Sequence, residues 1–181
     1  MDTVSLRPDC ASCAALCCIG LAFDRSALFA FDKPAGEPCR NLEPSGGCRI
    51  HSELKSRGFG GCVAFDCHGA GQYVTQQMFG GRSWRDDMSL LEPMMAAFRP
   101  IQEVHELLAM LREARGLPLP QDVGGRLAAQ EQGLAPAAGW TLQDVVSGRV
   151  KAATDEARAF LRTLRPFTGD AALRQVEAPA H

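Results

Sequence analysis

Eight cysteines, all within the first 67 residues, are the side chains of this chain best suited to chemistry. Thiolates are soft ligands that select zinc, iron–sulfur clusters or Cu(I). Eight of them can build two four-sulfur zinc sites, one four-cysteine cluster with spare thiols, or a shared polynuclear site. The spacing therefore indicates a metal centre and leaves the ligand sets open. The candidate ligands are Cys10, Cys13, Cys17, Cys18, Cys39, Cys48, Cys62 and Cys67.

The cellular compartment decides whether such thiols bind metal or pair as disulfides. Residues 1–9 contain no basic region, apolar core or small-residue cleavage site, so the sequence predicts no signal peptide. No stretch approaches the roughly 20 apolar residues that span a bilayer. We therefore expect a cytoplasmic protein with reduced cysteines. Disulfides and scattered core cysteines are the alternatives; the expected compartment argues against the first, and the clustering argues against the second.

Local geometry gives the opening cluster an incomplete ligand set. If the Cys10-x2-Cys13 turn continues as a helix, Cys10, Cys13 and Cys17 lie on one face, and Cys18 is rotated away by about 100°. A fourth ligand then comes from a later cysteine. His51, in Cys48-x2-His51, and His68 are candidates for an additional ligand or for a supporting contact.

Basic residues near the cysteines are candidates for offsetting the negative charge of a thiolate centre, or else are solvated surface. They are Arg7, Arg25, Arg40, Arg49, Lys55 and Arg57.

The elements that must position these residues change character after residue 70. Residues 1–70 are rich in turn signals and poor in apolar periodicity, which predicts a loop-rich module stabilised by metal. Residues 71–116 read as a helical region packed on it, with a short helix over 72–78 and an apolar stripe through Met88, Leu91, Met95 and Phe98. Pro100 predicts either two helices or one kinked helix.

Residues 117–165 are predicted to be a C-terminal helical segment. Its last helix starts at Thr141, where Thr141 and Asp144 fit a capping box, and it runs to Leu164. The tail, 166–181, is predicted to be disordered. The fold class is therefore mainly α with a loop-rich, metal-stabilised cysteine-rich N-terminal module and little β structure. A net charge of −2 gives no electrostatic case for nucleic-acid or membrane partners.

The order of the cysteines resembles the CxxCxxxCC family of zinc- or iron-chelating proteins. All eight positions of that pattern are filled, and the family's frequent Arg-Pro before the seventh cysteine is replaced by Arg57-Gly58-Phe59-Gly60-Gly61. The matching steps after the opening cluster are Pro38-Cys39-Arg40-Asn41-Leu42, Gly47-Cys48-Arg49-Ile50-His51 and Cys62-Val63-Ala64-Phe65-Asp66-Cys67.

A second resemblance extends the coverage to about residues 9–115. The chain is similar to the cysteine-rich leader of certain actinobacterial pentapeptide-repeat proteins, but no repeat array follows Gly116. The runs that carry this resemblance are Asp32-Lys33-Pro34-Ala35-Gly36, Gly69-Ala70-Gly71-Gln72, Phe79-Gly80-Gly81-Arg82 and Val104-His105-Glu106-Leu107-Leu108.

These resemblances imply metal binding and little more. Flagellin lysine methylases resemble the broad pattern and carry an iron–sulfur cluster, which narrowly favours [4Fe–4S] over Zn²⁺ as the cofactor. We expect a structural, sensory or redox module that acts with a protein partner. The alternative is an enzyme whose active site uses the cluster, such as a SAM-dependent protein lysine methylase. No catalytic arrangement is evident in the sequence, so this alternative depends on the resemblance alone.

Overall fold

Residues 4–168 are described by a computed structural model, and they are mainly helical, as the sequence predicts. They divide into two compact units, one of residues 5–102 and one of residues 103–168 together with residue 4. None of the helices in this range combines the length and the apolar character that crossing a bilayer requires.

The first unit begins with short elements joined by loops. Before residue 70 these elements are the 3₁₀ turns Cys10–Ser12 and His51–Glu53, helix α1 (Leu16–Gly20) and helix α2 (Gly60–Ala64). Extended pairing within residues 4–168 is limited to two isolated antiparallel bridges, Phe23 with Lys33 and Leu42 with Cys48. The expectation of a loop-rich region with little β structure is confirmed.

Four phenylalanines hold these loops together. Phe23 stacks on Phe29 with ring centroids 4.3 Å apart, and Phe59 meets Phe31 edge-on at 5.0 Å. Aromatic pairs of this kind contribute about 0.5–1.5 kcal/mol beyond the area they bury. The cluster therefore joins residues 23–31 to the start of α2, and so connects the segments that carry the early and the late cysteines.

A short helix follows the last cysteine. Helix α3 (Ala70–Tyr73) continues as a π-helical turn, Val74–Met78. The helix predicted over 72–78 is confirmed, and it begins slightly earlier because Gly69, with φ of 80°, starts it from a left-handed conformation. Gly80 and Gly81, both with positive φ, follow its end, as predicted.

Helix α4 (Leu91–Ala114) is continuous and contains Pro100, so the two-helix alternative is wrong. The boundary between the two units falls inside it. Met88 is 63% exposed, because it lies in the 3₁₀ turn Met88–Leu90 before the helix rather than on its apolar face. The residues of α4 that are exposed by 1% or less are Met94, Ala97, Phe98, Ile101, Val104, His105, Leu108 and Leu111.

The second unit contains three further helices. These are α5 (Gln121–Leu134), α6 (Leu142–Val146) and α7 (Arg149–Thr163). The capping box before α6 is confirmed, since the Thr141 hydroxyl accepts from the Asp144 amide at 3.2 Å and the Asp144 carboxylate accepts from the Thr141 amide at 2.9 Å. The single helix predicted over 141–164 is interrupted by Gly148, whose φ is 80°.

Helix α5 had no separate prediction, because Gly124, Gly125 and Gly133 interrupt its pattern. It packs on α7, where the Arg126 guanidinium lies 5.2 Å from the centre of the Phe160 ring. A 3₁₀ turn, Arg165–Phe167, ends the described chain. Most of the tail predicted to be disordered, from residue 169 onward, lies outside the described residues.

Candidate metal centre

All eight cysteines lie in the unit of residues 5–102, and all are free thiols. Cys10 and Cys62 are exposed, and the other six are half-buried. The thiols come from four parts of the chain: the opening cluster, the loop at residue 39, the bridge at residue 48, and α2 with the loop after it. A site built from them depends on how the loops fold together.

The opening cluster does not form a continuous helix. Cys10 lies in a 3₁₀ turn, and Ala15, with φ of 58°, interrupts the helical conformation before α1 begins at Leu16. Cys17 and Cys18 lie next to each other in α1 with their sulfurs 4.0 Å apart. The continuous helix that would place Cys10, Cys13 and Cys17 on one face is therefore absent, whereas Cys17 and Cys18 are consecutive residues of one helix.

This vicinal pair shares a proton. The hydrogen bond between the two sulfurs is the main cause that lowers the pKa of the Cys18 thiol to about 7, and it raises the pKa of Cys17. Burial opposes the lowering of the Cys18 pKa and adds to the raising of the Cys17 pKa. One thiolate is therefore available at this pair near neutral pH, and thiolates are the form that binds metal.

The later cysteines lie within electrostatic reach of the same pair. Burial and then the charges of Cys18, Cys39 and Cys48 raise the pKa of the Cys62 thiol to about 11. The pKa of Cys10 is raised by burial, then by Cys67 and by Cys18. Thiolates that destabilise one another in this way form one group, and a cation placed among them would relieve the repulsion.

Backbone amides donate to three of the sulfurs. The Asn41 amide donates to the Cys39 sulfur at 3.5 Å. Burial raises the pKa of Cys13 and of Cys48, and amide donors oppose that shift, from Leu16 and Ala15 on Cys13 and from Ile50 on Cys48. Amide donors favour the thiolate, and hydrogen bonds to sulfur also adjust the properties of metal–thiolate centres.

Helix α3 positions the Cys13 loop. The Thr75 hydroxyl accepts from the Ala14 amide at 2.9 Å, and the Trp84 indole donates to the Ala14 carbonyl at 2.7 Å. Gly71 lies directly beneath the loop, since a Cβ there would be 2.6 Å from the Cys13 sulfur. The glycine allows the helix to approach the thiol closely. The sequence indicated Gly71 only through a resemblance.

The two histidines take peripheral roles. His51 starts a 3₁₀ turn and is exposed, with its amide donating to the Cys48 carbonyl at 3.1 Å. His68 has a φ of 47°, and its Nδ1 lies 3.7 Å from an Asp66 carboxylate oxygen. Both residues stand immediately beside cysteine turns, which fits a supporting contact as well as ligation.

The donor set fits a soft metal in its chemistry. In the arrangement described for residues 4–168, however, no three Cys, His, Asp or Glu side chains converge closely enough to hold an ion.

Lys33 is a residue of this region that sequence reasoning missed. Its side chain is 4% exposed, whereas Arg40, which was a candidate for charge compensation, lies over the Phe31 ring at 4.9 Å. The Lys33 ammonium donates to the carbonyls of Ile19, Leu21 and Pro34 at 3.1, 2.6 and 3.0 Å. No local pattern marks this lysine as buried, because two of its three partners, Ile19 and Leu21, are distant in the sequence, on α1 and at its end.

The chain is thus mainly helical, and its cysteine-rich unit, at the N-terminal end, is rich in loops. Among curated proteins, it is similar to the uncharacterized protein YybG of Bacillus subtilis (strain 168), with 41% identity over 122 residues. The match covers 67% of this chain and 44% of that protein, so the chain spans less than half the length of this relative. No family model matches the chain, and no solved structure matches it.

Proposed function

We propose that this protein binds metal through its cysteines and acts as a structural, sensory or redox module. The observation that carries the proposal is that thiols from four separate parts of the chain lie in one compact unit, within electrostatic reach of one another. These thiols interact electrostatically, so that Cys62 is influenced by Cys18, Cys39 and Cys48. Backbone amides directed at three sulfurs add support, because they favour the thiolate that a metal requires.

The cofactor proposed is an iron–sulfur cluster, with [4Fe–4S] favoured, or alternatively Zn²⁺. When bound, the cluster would supply one-electron redox chemistry, and zinc would supply structural crosslinking. The candidate ligands are the eight cysteines, and His51 and His68 are candidates for supporting contacts. The chain's contribution is to hold the thiolates together, to donate amides to their sulfurs and to keep part of the site from water.

A protein partner is part of the proposal, as is a cytoplasmic location. Two exposed apolar side chains lie beside the candidate ligand Cys62. Val63 is 57% exposed, and Leu28 is 55% exposed, with its carbonyl accepting from the Gly61 amide at 3.1 Å. Adjacent exposed apolar groups next to a cofactor site favour docking of another protein at this edge.

The test is anaerobic purification followed by metal and sulfide analysis with an absorption spectrum. A brown protein with a charge-transfer band that dithionite bleaches, and with iron and sulfide in equal amounts, supports the cluster. A colourless protein with stoichiometric zinc supports the zinc alternative. Cys48→Ser should reduce the metal content, and Ser52→Ala, at an exposed position in the adjoining 3₁₀ turn, should leave it unchanged. A preparation that holds neither metal, and cannot be loaded with either, refutes the proposal.

A further inference from the structure

Lys33 carries a buried positive charge in the cysteine-rich unit. Lysine is almost never fully buried without a partner, because removing its charge from water is costly. Here the side chain is 4% exposed, and its ammonium donates to three carbonyls. The three carbonyls accept from the N–H groups of the ammonium, but an uncharged side chain could also donate to these carbonyls. The retained charge therefore calls for a source of negative charge nearby.

The cysteines are the candidate source, because the ammonium is bonded to the carbonyls of Ile19 and Leu21, which closely follow Cys17 and Cys18 in the chain. Burial lowers the pKa of Lys33, and the charges that oppose this shift come, in order of size, from Cys39, Cys18, Cys17 and then Glu37. Three thiols thus act more strongly on the ammonium than the carboxylate does. The interaction is mutual, because Lys33 also lowers the pKa of Cys18.

The backbone holds the ammonium in this position. Ile19 and Leu21, whose carbonyls accept from Lys33, follow Cys17 and Cys18 on α1 and at its end. The Lys33 backbone pairs with Phe23 through hydrogen bonds of 2.8 and 3.0 Å. On the other side of the same loop, the Cys39 amide donates to the Cys18 carbonyl at 2.9 Å. These bonds fix the lysine and the thiols in one small framework.

We propose that Lys33 is the buried counter-cation of the thiolate centre, which favours metal retention by offsetting the charge on Cys17, Cys18 and Cys39. This inference rests on the proposed function. A divalent ion held by four thiolates leaves a net negative charge, and a buried positive charge stabilises that state far more than a solvated one does. The competing view is that Lys33 only caps the carbonyls at the end of α1.

The experiment measures Zn²⁺ affinity by competition with a chromophoric chelator, in reducing anaerobic buffer, on the full chain. Lys33→Gln keeps a donor for the carbonyls and removes the charge, whereas Lys33→Arg keeps the charge. Lys55→Gln makes the same charge change at an exposed lysine and is the matched control. Circular dichroism of the metal-free proteins checks that each variant folds.

Removing the charge at Lys33 should weaken zinc binding by about 10- to 100-fold, the usual loss when a group supporting a metal ligand is mutated. Lys55→Gln and Lys33→Arg should stay close to the wild-type affinity. A folded Lys33→Gln protein that binds zinc as the wild type does overturns the inference, and so does an equal loss in Lys33→Gln and Lys33→Arg.

If Lys33→Gln does not fold, Lys33→Arg decides the question. A folded arginine variant with wild-type affinity supports the role of charge, and a folded one with a tenfold or greater loss, about 1.4 kcal/mol or more, overturns it. A wild-type chain that binds no zinc and no iron refutes the proposed function itself.

Discussion

Replacing Gly61 with alanine should destabilise the cysteine-rich unit, whereas the same change at the adjacent Gly60 should not. Both glycines lie in α2, next to Cys62. A Cβ on Gly61 would lie 2.1 Å from the nearest carbon of the Phe29 ring, and two more ring carbons would lie within 2.7 Å. A Cβ on Gly60 would meet only a Leu28 methyl carbon, at an ordinary 3.5 Å.

The magnitude follows from what the Phe29 ring must do. Carbon atoms prefer separations of about 3.5–4.0 Å, so the ring has to move away by more than 1 Å. That movement disturbs its stack on Phe23, at 4.3 Å and 10°, and such pairs are worth about 0.5–1.5 kcal/mol. Overpacking costs about 1–3 kcal/mol in total. The helix-propensity gain of up to about 1 kcal/mol is common to both variants, so Gly61→Ala should be less stable than Gly60→Ala by about 1–3 kcal/mol.

The assay can be confined to the affected unit. The chain has two tryptophans, of which Trp84 lies in the unit of residues 5–102 and Trp140 in the other. In a Trp140→Phe background, fluorescence therefore reports on the cysteine-rich unit alone. Urea denaturation of the reduced, metal-free protein would give the free energy of unfolding of this background, of Gly60→Ala and of Gly61→Ala.

Equal stability of the two alanine variants would refute the reasoning. It would mean that the Phe29 ring moves without loss, and that the aromatic cluster does not hold α2 to the loop of residues 23–31. An equal loss of stability in both variants would also refute it, and would mean that the backbone of α2, rather than the Phe29 ring, does not tolerate an alanine.

Four further predictions concern the metal, the capping box and the Cys13 loop. Chelation of the bound metal should lower the melting temperature and the ellipticity of the protein, because metal binding and folding are linked; unchanged melting would contradict this. Thr141→Ala should cost about 1 kcal/mol in urea denaturation, since it removes the side-chain acceptor of the box. Hydrogen bonds from Thr141 and the charge of Arg149 hold the pKa of Asp144 below its ordinary 3.8. The stability that the Asp144 carboxylate contributes is therefore complete above that pH and is lost as the pH falls through the lowered pKa. Asp144→Asn should flatten this loss of stability in acid, and an unaltered dependence of stability on pH would disprove it. Gly71→Ala should weaken zinc binding in a chelator competition by displacing the Cys13 sulfur, 2.6 Å from the added Cβ, while Gly124→Ala, with open space around it, should not.

Much of the fold could be predicted from local signals. The capping box at Thr141 and the helix between Gly69 and Gly80 were recognisable, because caps and glycine stops act within one or two turns of a helix. Sequence left two alternatives at Pro100, two helices or one, and the structure has one, since burial of its apolar neighbours overrides the local cost of a proline. Helix α5 escaped prediction because its glycines weaken the propensity signal, and packing on α7 compensates for them.

Part of the candidate site could likewise be predicted from the sequence, and part could not. Sequence alone identified the eight sulfur donors, since residue type and spacing carry the ligand chemistry. Sequence could not reveal that Cys10 and Cys13 lie outside the helix that carries Cys17 and Cys18, because that break depends on a left-handed residue at Ala15. Nor could it identify Lys33 as buried.

What the sequence by itself determined is therefore the set of candidate sulfur ligands and most of the helices, because both depend on residue types and short-range periodicity. The tertiary structure alone decided that the Cys17 and Cys18 sulfurs lie 4.0 Å apart and that Lys33 is buried against the end of α1. Those relations depend on contacts between distant segments, such as the Cys39 amide on the Cys18 carbonyl and the Trp84 indole on the Ala14 carbonyl. Contacts of this kind form only when the aromatic cluster and the loops fold together, and no local pattern encodes them.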